Sequence, residues 1–263
     1  MLRLLWRVFA GLPAYVWSGW GAAASLLLLL TAWEAVAALY DPLILPDPLT
    51  AFAALWAQVE QGAAWPALWA TARRALMGLA LALGVGSVLG LLAGLSVTAS
   101  VLARPLVTVL LGTPPIAWLV MAMLWFGTGD GTPLFTVFVA CFPVVLVAGM
   151  QGARTLDGRW RELARSLGLP WWMRVTEVNL PHILSYLFPA WTVALGSAWR
   201  VVVMAELLAS SDGVGAALAA SRSQLDMAAS LVWIGLVVGL LLLMEYAVLE
   251  PIKRELERWR NPD

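Results

Sequence analysis

The chain alternates long apolar runs with short polar breaks, and the runs are longer than most helices of a soluble domain. Six of them, at about residues 20–40, 66–95, 105–126, 132–152, 182–209 and 227–249, come close to or exceed the ~20 residues that a helix needs to cross a bilayer. In lipid every backbone N–H and C=O must be satisfied within the protein, which a helix does inside its own segment. The pattern therefore predicts an all-α membrane protein with six transmembrane helices, forming a single domain over residues 1–263.

The breaks between the runs carry local signals. A basic, amphipathic start, MLRLLWRVFAGLPAYVWSGW, precedes the first run. Ala35-Val36-Ala37 imitates a signal-peptide cleavage site, but the apolar stretch is long and five more follow, so an uncleaved span is expected. Leu45-Pro46-Asp47-Pro48 predicts an extended turn, followed by an interfacial helix at about residues 49–60. A turn around Arg104 leads into the third run, which Pro105 opens and which Gly112-Thr113-Pro114-Pro115 interrupts. Broken helix within a membrane tends to line a cavity, which makes Thr113 and Pro114 candidates for a translocation path.

The one long polar interval, residues 153–181, reads as two short helices. Trp160, Leu163, Ala164 and Leu167 recur at helical spacing, Gly168 fits a C-terminal cap, and Pro170 can open the next helix. Asn179, Leu180 and Pro181 are expected to break that second helix. Arg159, Arg161, Arg165 and Arg174 rim the segment, which could form a knob for a groove in a soluble partner.

Composition then narrows the function. With 62% hydrophobic and 12% charged residues, the chain lies far from the ~25% charged of soluble domains. The 16 tryptophans suit two membrane interfaces. No basic domain or stripe points to nucleic acid. Lys253 is the only lysine and no glycine-rich loop precedes it, so the sequence has no P-loop for ATP. One histidine, His182, and one cysteine, Cys141, leave no zinc or Cys-His arrangement to build from this chain. His182 reads as a residue of a helix start. Twelve of the 16 Lys and Arg fall in segments that a six-span count places on one side, so the positive-inside rule puts both termini in the cytoplasm.

Charges inside the runs need reasons of their own. Glu34 should face protein, lie near the outer surface or be protonated. Arg73 and Arg74 stand at the outer start of the second run, against the charge trend, and Glu206 is the conspicuous acid near that level, so an Arg74–Glu206 pair is expected to tie two spans together. Arg200 lies near mid-span and could face an anionic substrate, a buried carboxylate or a second copy; Met204 joins Thr113, Pro114 and Arg200 as a pathway candidate. Ala82, Gly86, Gly90 and Gly94 recur every fourth residue, a small-residue stripe that lets another helix approach closely.

The segment from Glu162 to Pro181 carries a resemblance. Glu162, Ala164, Gly168, Leu180 and Pro181 match, in register, the EAA signature of ABC importer permeases; Val178 replaces an isoleucine and Leu163 departs from the middle alanine. Leu45-Pro46-Asp47-Pro48, Arg74 with Gly78, Pro114-x-x-Ala117-Trp118, Leu124-Trp125-Phe126-Gly127 and the Gly213-Val214-Gly215 after Glu206 resemble the nitrate, taurine and alkanesulfonate branch. From about residue 45 onward the chain resembles a permease subunit of a type I ABC importer.

That resemblance implies a six-span permease core in the bacterial inner membrane, used as a pair with a homodimer expected. An ABC ATPase dimer, holding ATP and Mg, would dock on the EAA loop, and a periplasmic binding protein would deliver solute from outside. The chain would carry no cofactor of its own and would not be an enzyme. A small anion such as nitrate, taurine or a sulfonate is the expected cargo, with a thiamine precursor or another small organic molecule as the alternative. An ion-coupled secondary transporter would need coupling groups that Glu34 and Arg200 scarcely supply, and an intramembrane enzyme lacks a catalytic constellation.

Overall fold

The computed structural model describes residues 24, 27–42, 44–60, 62, 64–155, 166, 168 and 170–244. Every regular element among them is helical: α1 (Leu27–Ala37), α2 (Pro48–Glu60), α3 (Ala64–Leu95), α4 (Val97–Gly112), α5 (Pro115–Phe126), α6 (Gly131–Arg154), α7 (Trp171–Arg174), a π-helical turn (Val175–Asn179), α8 (Leu180–Ala209), α9 (Val214–Ser223) and α10 (Met227–Met244). Among the described residues, α3, α6, the run ending in α8, and α10 are each long and apolar enough to cross a membrane; α4 and α5 form a fifth candidate bent by 92°. The described part of α1 is only ~16 Å long at 1.5 Å per residue, short of the ~30 Å hydrocarbon layer. Apart from Ala24, residues 20–26 of the expected first span lie outside the described residues, as do the end of the sixth and the tail with Lys253, Arg254, Arg258 and Arg260.

The core is a three-helix stack of α3, α6 and α8. Small residues set its spacing. A Cβ on Gly90 would lie 2.5 Å from the Leu146 carbonyl oxygen, and one on Gly94 would lie 2.6 Å from Ala153 Cβ, so the two backbones touch where any side chain would separate them. Gly78 meets Leu134 and Val137, Gly86 meets Phe142 and Val145, and Gly90 and Gly94 meet residues further along, so α3 and α6 run parallel. α8 runs antiparallel to both: Cys141 Sγ lies 3.3 Å from the Ala194 oxygen, Gly152 sits beside Ile183 and Tyr186, and Trp191 Nε1 donates to Ser87 Oγ at 3.2 Å. With little hydrophobic drive between helices in lipid, this close backbone contact is the main source of cohesion.

Two expectations about proline are corrected. The third helix does not open at Pro105, and no turn forms at Arg104: Ser96 caps the helix through its side-chain oxygen, which accepts from Ala99 N at 3.3 Å, and Pro105 lies in the interior of α4. A serine that satisfies first-turn N–H groups defines a start, whereas an interior proline removes one hydrogen bond from a helix that keeps the others. Nor do Asn179, Leu180 and Pro181 end a helix. Helix continues from Trp172 to Ala209, and Leu180 N donates to the Val175 oxygen, five residues back. The wider π-helical turn comes immediately before the proline, which then sits in the first turn of α8, where its missing N–H is least costly.

Asp47 begins α2, accepting from Thr50 N at 2.6 Å and from Thr50 Oγ1 at 2.9 Å, which holds its carboxyl below the usual range. Between α8 and α10 lies the short helix α9, absent from the sequence reading, which packs on both.

Candidate functional site

Three places in this fold hold the residues that the sequence singles out, and the best defined is at the end of the stack where α3 begins and α8 finishes. Arg74 has a side chain only 2% exposed and Glu206 one that is fully buried. A buried charge is tolerable only when paired and fully hydrogen-bonded. Arg74 Nε donates to Asp130 Oδ1 at 2.6 Å, Nη1 donates at 2.8 Å to both Glu206 Oε1 and the Asp212 carbonyl, and Nη2 lies 2.5 Å from Asp130 Oδ1 and from Asp212 Oδ1. All five guanidinium N–H groups therefore have acceptors. On the other side, Glu206 Oε2 accepts from Thr71 Oγ1 at 2.7 Å and from Gly215 N at 3.1 Å, and Thr71 Oγ1 accepts from Val214 N at 2.9 Å. Arg73 reaches Asp130 from outside.

The loop after α8 folds over this cluster because Gly213 has φ +100 and no side chain; a Cβ there would lie 2.5 Å from the Glu206 carboxylate. Gly129 N donates to the Ala209 oxygen at 3.2 Å, joining the α5–α6 turn to the same end. The expected Arg74–Glu206 contact is thus one part of a larger latch across α3, α6 and the α8–α9 loop. Reading Glu206 as the conspicuous acid at that level overlooked Asp130 and Asp212, which look like turn residues beside glycines. Thr71 was missed as well, although it lies one turn before Arg74 on the same helix face.

The second place is the bend. Thr113 and Pro114 are extended, with ψ 122 and ψ 141, because each precedes a proline and the helical region is closed to such residues. Thr113 Oγ1 donates to the Val109 oxygen at 2.7 Å, so its hydroxyl closes α4 and keeps only acceptor capacity. Thr113 is half-buried and Pro114 exposed; Trp118, one turn further on, holds a buried indole N–H without a partner. Thr132 Oγ1 donates to the Gly127 oxygen at 2.7 Å, fixing the far end of α5 against α6.

Arg200 and Met204 lie on α8, and the structure separates their surroundings. Met204 is half-buried against Leu119, Ala205 and Ala209. Arg200 is exposed, and its Nε donates to the Gly196 oxygen at 3.1 Å. No carboxylate among the described residues pairs with it, so the expected buried partner is not found within this chain's described part. Glu34 is exposed on α1.

The third place is the opposite end, where the polar interval joins α7. Gly168 has φ +65, the left-handed conformation that suits a helix-capping glycine. Leu180 and Pro181 are exposed in the first turn of α8, and Thr155 Oγ1 lies 3.1 Å from His182 Nε2, in the same turn. Arg159, Arg161, Glu162, Ala164 and Arg165 lie outside the described residues.

Comparison with known proteins places this architecture. Residues 86–257 match the family model for the binding-protein-dependent transport system inner membrane component. The chain is 29% identical over 238 residues to SsuC of Bacillus subtilis, whose name assigns it to aliphatic sulfonates transport, covering 89% of this chain and 85% of that one. It is 28% identical over 244 residues to the taurine transport system permease protein TauC of Escherichia coli, covering 90% and 88%. With the nitrate import permease protein NrtB of Leptolyngbya laminosa it shares 29% identity over 188 residues, or 70% and 66%. The chain therefore belongs to the binding-protein-dependent transport system inner membrane components, as a transport permease and not an ATPase.

Proposed function

We propose that this chain is the pathway-forming half of an ABC importer for small oxyanions of the sulfonate, taurine or nitrate kind, working as a homodimer of six-span subunits with all termini in the cytoplasm. An ATPase dimer, with its ATP and Mg, docks on residues 153–181 through Glu162, Ala164, Gly168, Leu180, Pro181, Arg161 and Arg165. A periplasmic binding protein delivers the solute at the latch end. Thr113, Pro114, Arg200 and Met204 lie along the path.

The observation that carries this reading is the helical run from Trp172 to Ala209, which joins the docking segment to the latch as one element. At 1.5 Å per residue it is about 57 Å long, well beyond the ~30 Å hydrocarbon layer, so a push at one end is delivered at the other. Closure of the ATPases on nucleotide would move two such levers together and rock each stack from inward to outward access. The bend at Thr113–Pro114 gives α4 and α5 separate directions, leaving room for a path beside α8.

Reconstitution tests it. Gly168→Pro cannot adopt φ +65, and Glu162→Lys inverts a charge on the docking face; each should abolish ATP-driven uptake while the membrane core stays folded by thermal melting. Unchanged uptake in both variants would refute the assignment of that segment.

A further inference from the structure

We infer that Arg200 is the anion-selecting residue of the translocation path, acting with the hydroxyl of Ser197 as a binding step for a singly charged oxyanion. This rests on the pathway reading above. Arg200 lies nine residues before the end of α8, about 14 Å from it, inside a helical run long and apolar enough to cross a membrane. Its guanidinium turns away from the near end, over Gly196, where a Cβ would lie 3.8 Å from Nη2. An exposed charge there would oppose insertion by about 2.5–3.5 kcal/mol if it met lipid, so it faces water or protein.

Exposed Pro189, Val193 and Leu208 and half-buried Gly196, Ser197 and Met204 follow Arg200 along one ridge at spacings of three and four, while Leu187, Ala190, Ala194, Ala198, Val201 and Val202 face the core. Nε is used on Gly196, which leaves the four Nη hydrogens without an acceptor among the described residues, and the Ser197 hydroxyl is equally free. Arg74, in the apolar helix α3, has an acceptor near every donor. Pairing two copies about a two-fold axis brings like faces together, so two Arg200 side chains add their fields and cannot neutralise each other. Four planar donors beside a free hydroxyl suit the oxygens of a sulfonate, nitrate or bicarbonate.

The test needs no knowledge of the natural cargo. Ser197→Cys would be introduced into the full permease, bound to its ATPase and held in nanodiscs open on both faces. Its modification rates would be measured with two methanethiosulfonates, one carrying an ethylsulfonate and one an ethyltrimethylammonium group. Native Cys141 is fully buried, so the parent protein is the blank. The sulfonate reagent should react faster, by roughly tenfold from a single nearby charge in a partly aqueous medium. That preference should vanish with Arg200→Gln and persist with Arg200→Lys. Equal rates in all three backgrounds, or no reaction at position 197 with either reagent, would overturn the inference, the latter outcome meaning that Arg200 is sealed against a second copy or another chain. Retention of the ATPase on the Arg200 variants reports their folding; loss of the ATPase from the parent itself would instead defeat the importer reading.

Discussion

Arg74 and Arg200 are the same residue type in two apolar helices of one small membrane protein, yet the chain treats them in opposite ways. Arg74 is enclosed by three acids and a backbone carbonyl from three separate segments. Arg200 has one backbone bond to its own helix. A saturated guanidinium has nothing left to offer a ligand and serves to fix three helices. An unsaturated one adds little to the fold and keeps donors open, which is the ground of the role proposed above for Arg200. Completeness of hydrogen bonding, more than burial alone, separates the two arginines.

The comparison can be broken by mutation. Arg74→Met leaves Glu206 buried and unpaired and should destabilise the permease by about 3–5 kcal/mol, read as a large fall in the thermal midpoint or loss of the folded protein. Adding Glu206→Leu should restore much of that loss. A next effect, about 1–3 kcal/mol or more, is expected for Gly90→Leu, which forces α3 and α6 apart without touching any charge and so separates packing from electrostatics in the same stack. Arg200→Gln should change the melting midpoint by no more than ordinary surface substitutions do, within about 0.5 kcal/mol. A loss like that of Arg74→Met would reveal a hidden partner and erase the contrast.

The smallest effect belongs to Asp47, an exposed carboxylate that serves as a baseline. Its folded-state value is depressed by Thr50, so its contribution is present above the ordinary carboxyl range and is lost as pH falls through the folded value. The difference in melting between the parent and Asp47→Ala should therefore be visible at pH 7 and shrink steadily below about pH 3.9.

Much of this was legible from sequence because membrane folds are written in simple periods. The stripe of Ala82, Gly86, Gly90 and Gly94 marked a packing face, and the odd position of Arg74 demanded an acid. The other partners were hidden for a physical reason: Asp130 and Asp212 come from turns and Gly215 from the first turn of α9, and only the parallel run of α3 with α6 and the fold of the α8–α9 loop bring them to one point. Proline misled twice. Pro105 and Pro181 look like boundaries, but a capping serine and a π-helical turn, neither of which announces itself through hydrophobic period, decide where the helices begin and continue. Arg200 is visible as a costly residue, and only the structure shows that the described residues leave its Nη groups unsatisfied.

The π-helical turn at Val175–Asn179 also acts as a phase adjuster in a screw. A π-helical turn spends one residue more than an α-helical turn on the same revolution, so taking one residue out of it would leave an ordinary α-helical turn and keep the residues before it in nearly the same rotational phase against α8. The surplus residue is thus absorbed within Val175–Asn179, and α7 stays in line with α8 although the chain between them is one residue longer than an α-helix needs.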